Sequence, residues 1–128
     1  RGLMVPTLMD ANLKSLNDIS AEAKKLASDA QAGTINPDLL KGGTFTITNL
    51  GTMGIESFTP VINPPQTGIL GVNTLETRVK NVNGEMKMYQ AMTLSLTFDH
   101  RALDGAPAAR FLQELCKNLE NFTMLLIK

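Results

Sequence analysis

The stretch M-T-L-S-L-T-F at Met92–Phe98, followed by D-H-R-A-L-D-G at Asp99–Gly105, decides the fold. Apolar side chains alternate with hydroxyl side chains up to Phe98, which is the two-residue period of a strand. The alternation stops at Asp99, and Gly105 lets the chain turn directly into a helix. We therefore expect a strand over Glu85–Phe98 and then a loop that carries the one histidine of the sequence, His100.

The residues after Gly105 predict an amphipathic helix, because apolar side chains recur every three or four positions. Cys116 lies on this stripe and is expected to be an inert core residue. A second amphipathic helix is predicted over Leu13–Ala32, ending near Gly33, and a single helical turn over Asn36–Leu40 with Asn36 as its cap. The stripe after Gly105 consists of Ala108, Phe111, Leu112, Leu115, Cys116, Leu119 and Phe122.

Three more stretches have strand character. Leu3–Met9 is short and apolar around Pro6, which suits an edge strand. Gly68–Val79 is joined by the hairpin signal Asn83-Gly84 to the strand that begins at Glu85. Thr44–Leu50 alternates hydroxyl and apolar side chains, so its threonines share one face and the hydroxyl row is either solvated or functional.

Composition excludes several classes of protein. The 128 residues contain 12 Lys+Arg and 12 Asp+Glu, which argues against a nucleic-acid binder or a membrane-surface protein. A single cysteine cannot form an internal disulfide, and no Cys/His cluster has metal-ligand spacing, so we expect no metal site. No apolar run reaches the roughly 20 residues of a membrane span. The length fits one domain or part of one.

Taken from the residues alone, the histidine loop is weak evidence for catalysis. A lone His100 followed at four residues by Asp104 is more often a surface or structural histidine. The loop nevertheless follows a long strand, and the hydroxyl row of the other strand ends at Thr48 before its own glycine loop. An imidazole and a hydroxyl at strand ends could therefore meet.

The run Leu96–Gly105 resembles the active-site motif of the dihydrolipoamide acyltransferase core components of 2-oxo acid dehydrogenase complexes. Three further blocks resemble the same family, so the resemblance spans the chain; they are Gly2–Pro6, Gly43–Gly51 and Phe58–Gln66. It implies an α+β fold, a two-layer α/β sandwich like that of chloramphenicol acetyltransferase, with a mixed sheet packed by helices and incomplete here. Residues 1–128 would be the C-terminal part of one catalytic domain, with no lipoyl or peripheral-subunit-binding domain.

The resemblance also implies roles for individual residues. His100 would be the general base and Thr48, where the family often has serine, the hydroxyl that stabilises the oxyanion. Asp104 would complete the catalytic set by supporting the loop, with Arg101 or a residue outside the chain as its partner. Coenzyme A would lie along the strand end and glycine loop, at Thr48, Asn49 and Thr52, with backbone amides of the loop as donors.

The implied activity is transfer of an acyl group, acetyl above all, between coenzyme A and dihydrolipoamide carried on a separate lipoyl domain. The implied assembly is a homotrimer that builds a larger core with the other subunits of the complex, without nucleic acid or membrane, in the bacterial cytoplasm or the mitochondrial matrix. The apolar segment Met124–Ile127 would be either a contact between trimers or a helix end packed on its own core. Two alternatives are a chloramphenicol-acetyltransferase-like enzyme and a non-catalytic oligomeric scaffold.

Overall fold

The computed structural model describes residues 2–126, and the chain forms two compact units, Arg1–Thr44 and Phe45–Lys128. In the first unit a short 3₁₀ turn at Ala11–Leu13 precedes helix α1, Leu16–Ala32. Ser15 caps α1 by accepting a hydrogen bond from the backbone N–H of Asp18. The predicted helix is confirmed, but it begins three residues later than expected because the cap sets its start.

The rest of the first unit is partly as predicted. Asn36 caps a 3₁₀ turn at Pro37–Leu40 through its side-chain oxygen, which confirms the single helical turn. The strand predicted at Leu3–Met9 is wrong, because in the part of the chain that the structure describes no strand pairs with it. Residues 3–9 are bonded to another segment through the N–H of Thr7, which donates to the carbonyl of Leu39.

The second unit is built on a mixed sheet of three strands. They are β1 (Thr46–Asn49), β2 (Gly68–Val72) and β5 (Leu94–Phe98), in the order β1-β2-β5. Strand β1 runs parallel to β2, and β5 runs antiparallel to it, as the α+β interpretation requires.

A separate hairpin is formed by β3 (Glu76–Val82) and β4 (Glu85–Ala91). Asn83 and Gly84 turn it with φ of 54° and 87°, the conformation that the Asn-Gly pair predicts. The two long strands predicted at Gly68–Val79 and Glu85–Phe98 are therefore each divided in two. The division falls at Asn73 and Thr93, where the Asn73 side chain bonds the Thr93 carbonyl and the ladder passes from one sheet to the next.

Two helices follow β5: α2, Gly105–Glu120, and α3, Phe122–Leu125. Helix α2 buries Ala108 and places Phe111 edge-on to Phe45, with ring centroids 6.0 Å apart, so one face of the sheet has a helical layer. Cys116 is half-buried, so its prediction as a core residue is too strong. The predicted role of residues 124–127 lies partly outside the described residues.

The hydroxyl row predicted along Thr44–Leu50 is not uniform, because Thr44 is exposed and Thr48 is half-buried whereas Thr46 is covered. Thr46 is buried, and its hydroxyl donates to Oε1 of Gln66 at 2.6 Å, so it is a structural contact. Ile47, on the other face, is 68% exposed. The polar face of β1 is therefore covered at Thr46, because Gln66, in the segment before β2, lies against it. Within residues 2–126, no helix has both the length and the apolar character that crossing a bilayer requires.

Candidate active site

The loop after β5 holds His100 at the surface. The carbonyl of Asp99 accepts hydrogen bonds from the N–H groups of Ala102 and Leu103, which closes a turn around the histidine. The His100 side chain is 73% exposed, and its ring lies 5.6 Å from the ring of Phe98, centroid to centroid. An imidazole in this position can meet a molecule that approaches from solvent.

Asp104 is the cap residue at the start of α2, and its carboxylate lies next to the imidazole. The distance from His100 Nδ1 to Asp104 Oδ1 is 4.0 Å, which is an approach and not a hydrogen bond. The Asp104 side chain makes no capping bond, so its oxygens face solvent. The two residues that stand four positions apart in the sequence motif therefore also lie side by side in the structure.

Arg101 is not the partner of Asp104, which corrects one of the two predicted partners. The guanidinium instead binds Asp99 through both carboxylate oxygens, at 3.0 Å from Nε and 2.8 Å from an Nη. These hydrogen bonds hold the pKa of the Asp99 carboxyl at about 2, and Asp99 in turn raises the pKa of Arg101. Asp99 therefore shapes the loop around His100 through its bonds to Arg101.

Thr48 lies in β1 opposite Gly71 of β2, which lies opposite Ser95 of β5. Ser95 is three residues before Phe98, so Thr48 and the histidine loop are separated by roughly 10 Å along the strands and by two strand spacings of about 5 Å each. Thr48 and His100 therefore do not meet within one chain. A site that uses both needs a second copy.

The loop after Thr48 is closed on itself. Oδ1 of Asn49 accepts the N–H of Gly51, and the N–H groups of Met53 and Gly54 bond carbonyls of the same loop. The N–H groups of Gly51, Met53 and Gly54 are therefore bonded within the loop, and the role of this loop toward coenzyme A stays a prediction. The exposed side chain of Thr52 is what the loop presents.

Asn73 is a residue of this region that the sequence reading missed. It is 2% exposed, and its Nδ2 lies within hydrogen-bonding distance of the Thr93 carbonyl, the Thr93 hydroxyl and the Ser95 hydroxyl. The Thr93 hydroxyl donates to the carbonyl of Glu56. Asn73 therefore holds the end of β2 to Thr93 and β5, and Thr93 in turn bonds the segment after the glycine loop. Its one sequence signal was a polar residue directly after the apolar run G-I-L-G-V.

No group of three or more potential metal ligands occurs among residues 2–126. The polar groups of this region are hydroxyls, amides, one imidazole and carboxylates, which suits proton transfer and hydrogen bonding.

The chain matches the family described as 2-oxoacid dehydrogenases acyltransferase (catalytic domain) over residues 1–127. It is 42% identical to the mitochondrial dihydrolipoyllysine-residue acetyltransferase component of the pyruvate dehydrogenase complex of Dictyostelium discoideum, covering 99% of this chain and 20% of that protein. It is 40% identical to the succinyltransferase component of the 2-oxoglutarate dehydrogenase complex of Escherichia coli K12, covering 99% and 31%.

Solved structures agree with the sequence comparison. The cubic core of the pyruvate dehydrogenase multienzyme complex superposes with a TM-score of 0.92 at 36% identity, covering 98% of this chain and 51% of that one. The dihydrolipoamide acetyltransferase of Azotobacter vinelandii, studied for the role of a serine, a histidine and an asparagine in catalysis, gives a TM-score of 0.91 with the same identity and coverage. The chain thus spans about half the length of these solved structures and less than a third of the length of the two relatives. The fold expectation is confirmed.

Proposed function

We propose, because the chain belongs to the family of 2-oxoacid dehydrogenase acyltransferase catalytic domains, that it is part of an enzyme that moves an acyl group between dihydrolipoamide and coenzyme A. One observation carries the assignment of residues. In the Azotobacter vinelandii enzyme fifty-two positions separate the serine from the histidine, and four separate the histidine from the asparagine. Thr48, His100 and Asp104 have the same two spacings in this chain.

His100 acts as the general base. A free thiol is only a few per cent ionised at neutral pH, so the attacking thiol of coenzyme A must lose its proton as its sulfur bonds to the thioester carbon. The exposed imidazole accepts this proton. It returns the proton to the lipoyl sulfur when the old carbon–sulfur bond breaks, so no net proton is consumed.

Thr48 donates its hydroxyl to the oxygen on which charge develops in the tetrahedral intermediate. Threonine keeps the hydroxyl of serine, and its extra methyl restricts χ1 without removing the donor. Because Thr48 and His100 lie far apart in one chain, the site is formed by His100 of one copy and Thr48 of another. A trimer with three such sites is the arrangement we propose, within a larger core such as the cubic one of the structural relative.

The remaining site residues hold substrate or support the base. Asp104, where the Azotobacter vinelandii enzyme has asparagine, presents a carboxylate 4.0 Å from the imidazole and helps to orient it. Asn49 and Thr52 line the strand end where the pantetheine arm of coenzyme A enters. Thr52 contacts it with its side chain, whereas Asn49 holds the loop through Gly51.

The proposed acyl group is acetyl, carried on a lipoyl domain, and the proposed partners are the other subunits of a 2-oxo acid dehydrogenase complex. Of the two relatives compared, the one from Dictyostelium discoideum is an acetyltransferase and the one from Escherichia coli a succinyltransferase. Parallel assays with acetyl-CoA and succinyl-CoA decide between them. The proposed compartment is the bacterial cytoplasm or the mitochondrial matrix.

A subunit-mixing experiment tests the whole proposal. His100→Ala should lose about a hundredfold to ten-thousandfold in rate, and Thr48→Ala about a hundredfold to a thousandfold, mostly in kcat. Thr48→Ser should keep most of the activity.

When the two inactive variants are dissociated, mixed in equal amounts and reassembled, about a quarter of the interfaces combine an intact His100 with an intact Thr48. Formation of S-acyl dihydrolipoamide should then recover toward that fraction. Recovery absent from an assembly that is shown to be mixed would refute the two-chain site, and an active His100→Ala variant would refute the general base.

A further inference from the structure

The two residues on either side of His100 are bonded to each other. The N–H of Arg101 donates to Oδ1 of Asp99 at 2.9 Å, and the guanidinium binds both oxygens of the same carboxylate. Backbone and side chain of Arg101 are therefore both fixed to one acceptor. His100 is the one residue between these two bonded neighbours in the chain.

The same aspartate also fixes the loop to the sheet. Its N–H donates to the carbonyl of Thr67 at 2.8 Å, and its carbonyl accepts the N–H groups of Ala102 and Leu103. Every polar group of Asp99 is thus bonded within the described residues. The Asp99 side chain is mostly covered at 22% exposure, although its partner guanidinium is 91% exposed.

The imidazole itself has few contacts that could hold it. Its ring lies beside the Phe98 ring and approaches the Asp104 carboxylate, and 73% of the side chain is exposed. An exposed side chain samples several rotamers, and a base displaced by 1 Å from its productive position can lose about a hundredfold in rate. The orientation of His100 therefore depends on how firmly its backbone is held.

We propose that Asp99 and Arg101 form a positioning pair that holds the backbone at His100 so that the imidazole points toward the reacting sulfur. The proposal rests on the proposed function only in giving His100 its role as base. Neither residue touches the substrate. Surface ion pairs generally contribute little to stability, so the effect of this pair is expected in the rate and in the order of the imidazole.

The pair stays intact over the working pH range. Hydrogen bonds from Arg101 lower the pKa of Asp99 to about 2, far below neutral pH. The carboxylate is therefore ionised and the guanidinium bound whether or not His100 carries a proton. The pair therefore holds the backbone at His100 in the same way when the imidazole takes up the proton and when it returns it.

The test uses Asp99→Asn, Arg101→Gln and the double variant. Asparagine keeps an oxygen for the N–H of Arg101 but loses the charge and one guanidinium contact. Each single variant should lower kcat about tenfold and leave the KM for coenzyme A within about twofold. The double variant should be no slower than the slower single variant, since both remove one interaction. Arg101→Lys, which keeps the charge but not the planar fork, should recover only part of the rate.

A second readout does not depend on activity. His100 is the one histidine of the sequence, so its ring signals in the NMR spectrum of the chain need no assignment by mutation. The backbone HN–Hα coupling of His100, which reports its φ angle, should show one conformation in the native chain and an averaged value in Asp99→Asn. The matched control is the Lys25–Asp29 pair of α1, also a surface pair at 2.7 Å, whose Lys25→Gln and Asp29→Asn variants should change neither readout.

The outcomes separate the two proposals. An unchanged coupling and rate in Asp99→Asn, additive effects in the double variant, or full recovery by Arg101→Lys would each overturn the positioning pair. An active His100→Ala variant would instead overturn the general base, while the coupling would still report on the pair.

Discussion

Replacing Gly51 by alanine tests how closely the glycine loop approaches the strands beneath it. A Cβ at position 51 would lie 2.5 Å from the backbone oxygen of Asn73 and 2.9 Å from its carbonyl carbon, closer than the 3.0 Å that real Cβ atoms respect. Asn73 is buried and bonded to β5, so the loop must move by at least about 0.5 Å. We expect the free energy of unfolding to fall by about 2–3 kcal/mol, the upper part of the range for overpacking against atoms that cannot yield.

Urea unfolding measures this change as a lower midpoint with an unchanged m-value, a shift of about 1–2 M. The matched control is Gly54, three residues further on, where a Cβ meets nothing within 4 Å but φ is +75°. Alanine there should cost about 1–2 kcal/mol for its left-handed backbone, and asparagine, which tolerates that conformation, should cost less. At Gly51 asparagine should be no better than alanine. A Gly51→Ala protein within about 0.5 kcal/mol of the native one would refute the close approach.

Two other perturbations address the polar contacts around the site. Asn73→Asp places a carboxylate against the Thr93 carbonyl and should cost about 3 kcal/mol or more at neutral pH. The cost should shrink in acid, where the aspartic acid is neutral and can donate; equal urea midpoints of native and variant chains at pH 7 would contradict this. Because Arg101 lowers the pKa of Asp99 from 3.8 to about 2, the stabilisation by their pair is complete above about pH 4 and is lost as the pH falls through 2. Hydrogen exchange at the N–H of Ala102, corrected for its intrinsic pH dependence, should lose protection over that window, whereas in Asp99→Asn it should not change there.

The sequence determined those features that depend on neighbours along the chain. The Asn83-Gly84 turn, the cap at Asn36 and the end of α1 at Gly33 follow from local backbone preferences, and the structure has each of them. The position of His100 between a strand and a helix also follows from the change of hydrophobic period after Phe98.

Period alone could not locate the ends of the strands. Residues 68–79 and 85–98 are each predicted as one continuous strand, but the sheet divides where the buried Asn73 bonds Thr93 across the ladder. A period of two is the same in either sheet, so only the pairing partner shows where one sheet ends. The prediction of a strand at Leu3–Met9 is wrong for a related reason. A strand needs a neighbouring strand to pair with, and the composition of a segment does not show whether such a neighbour exists.

For the candidate site, the sequence by itself determined the residue types and their spacing, because the motif around His100 is local. Only the tertiary structure decided which groups are neighbours. Strand register places Thr48 opposite Gly71 and away from His100. The tight turn places the Arg101 guanidinium against the carboxylate of Asp99 and not against that of Asp104. Register and turn closure are set by hydrogen bonds between residues that the linear order leaves unspecified, so this part of the chemistry had to be seen in three dimensions.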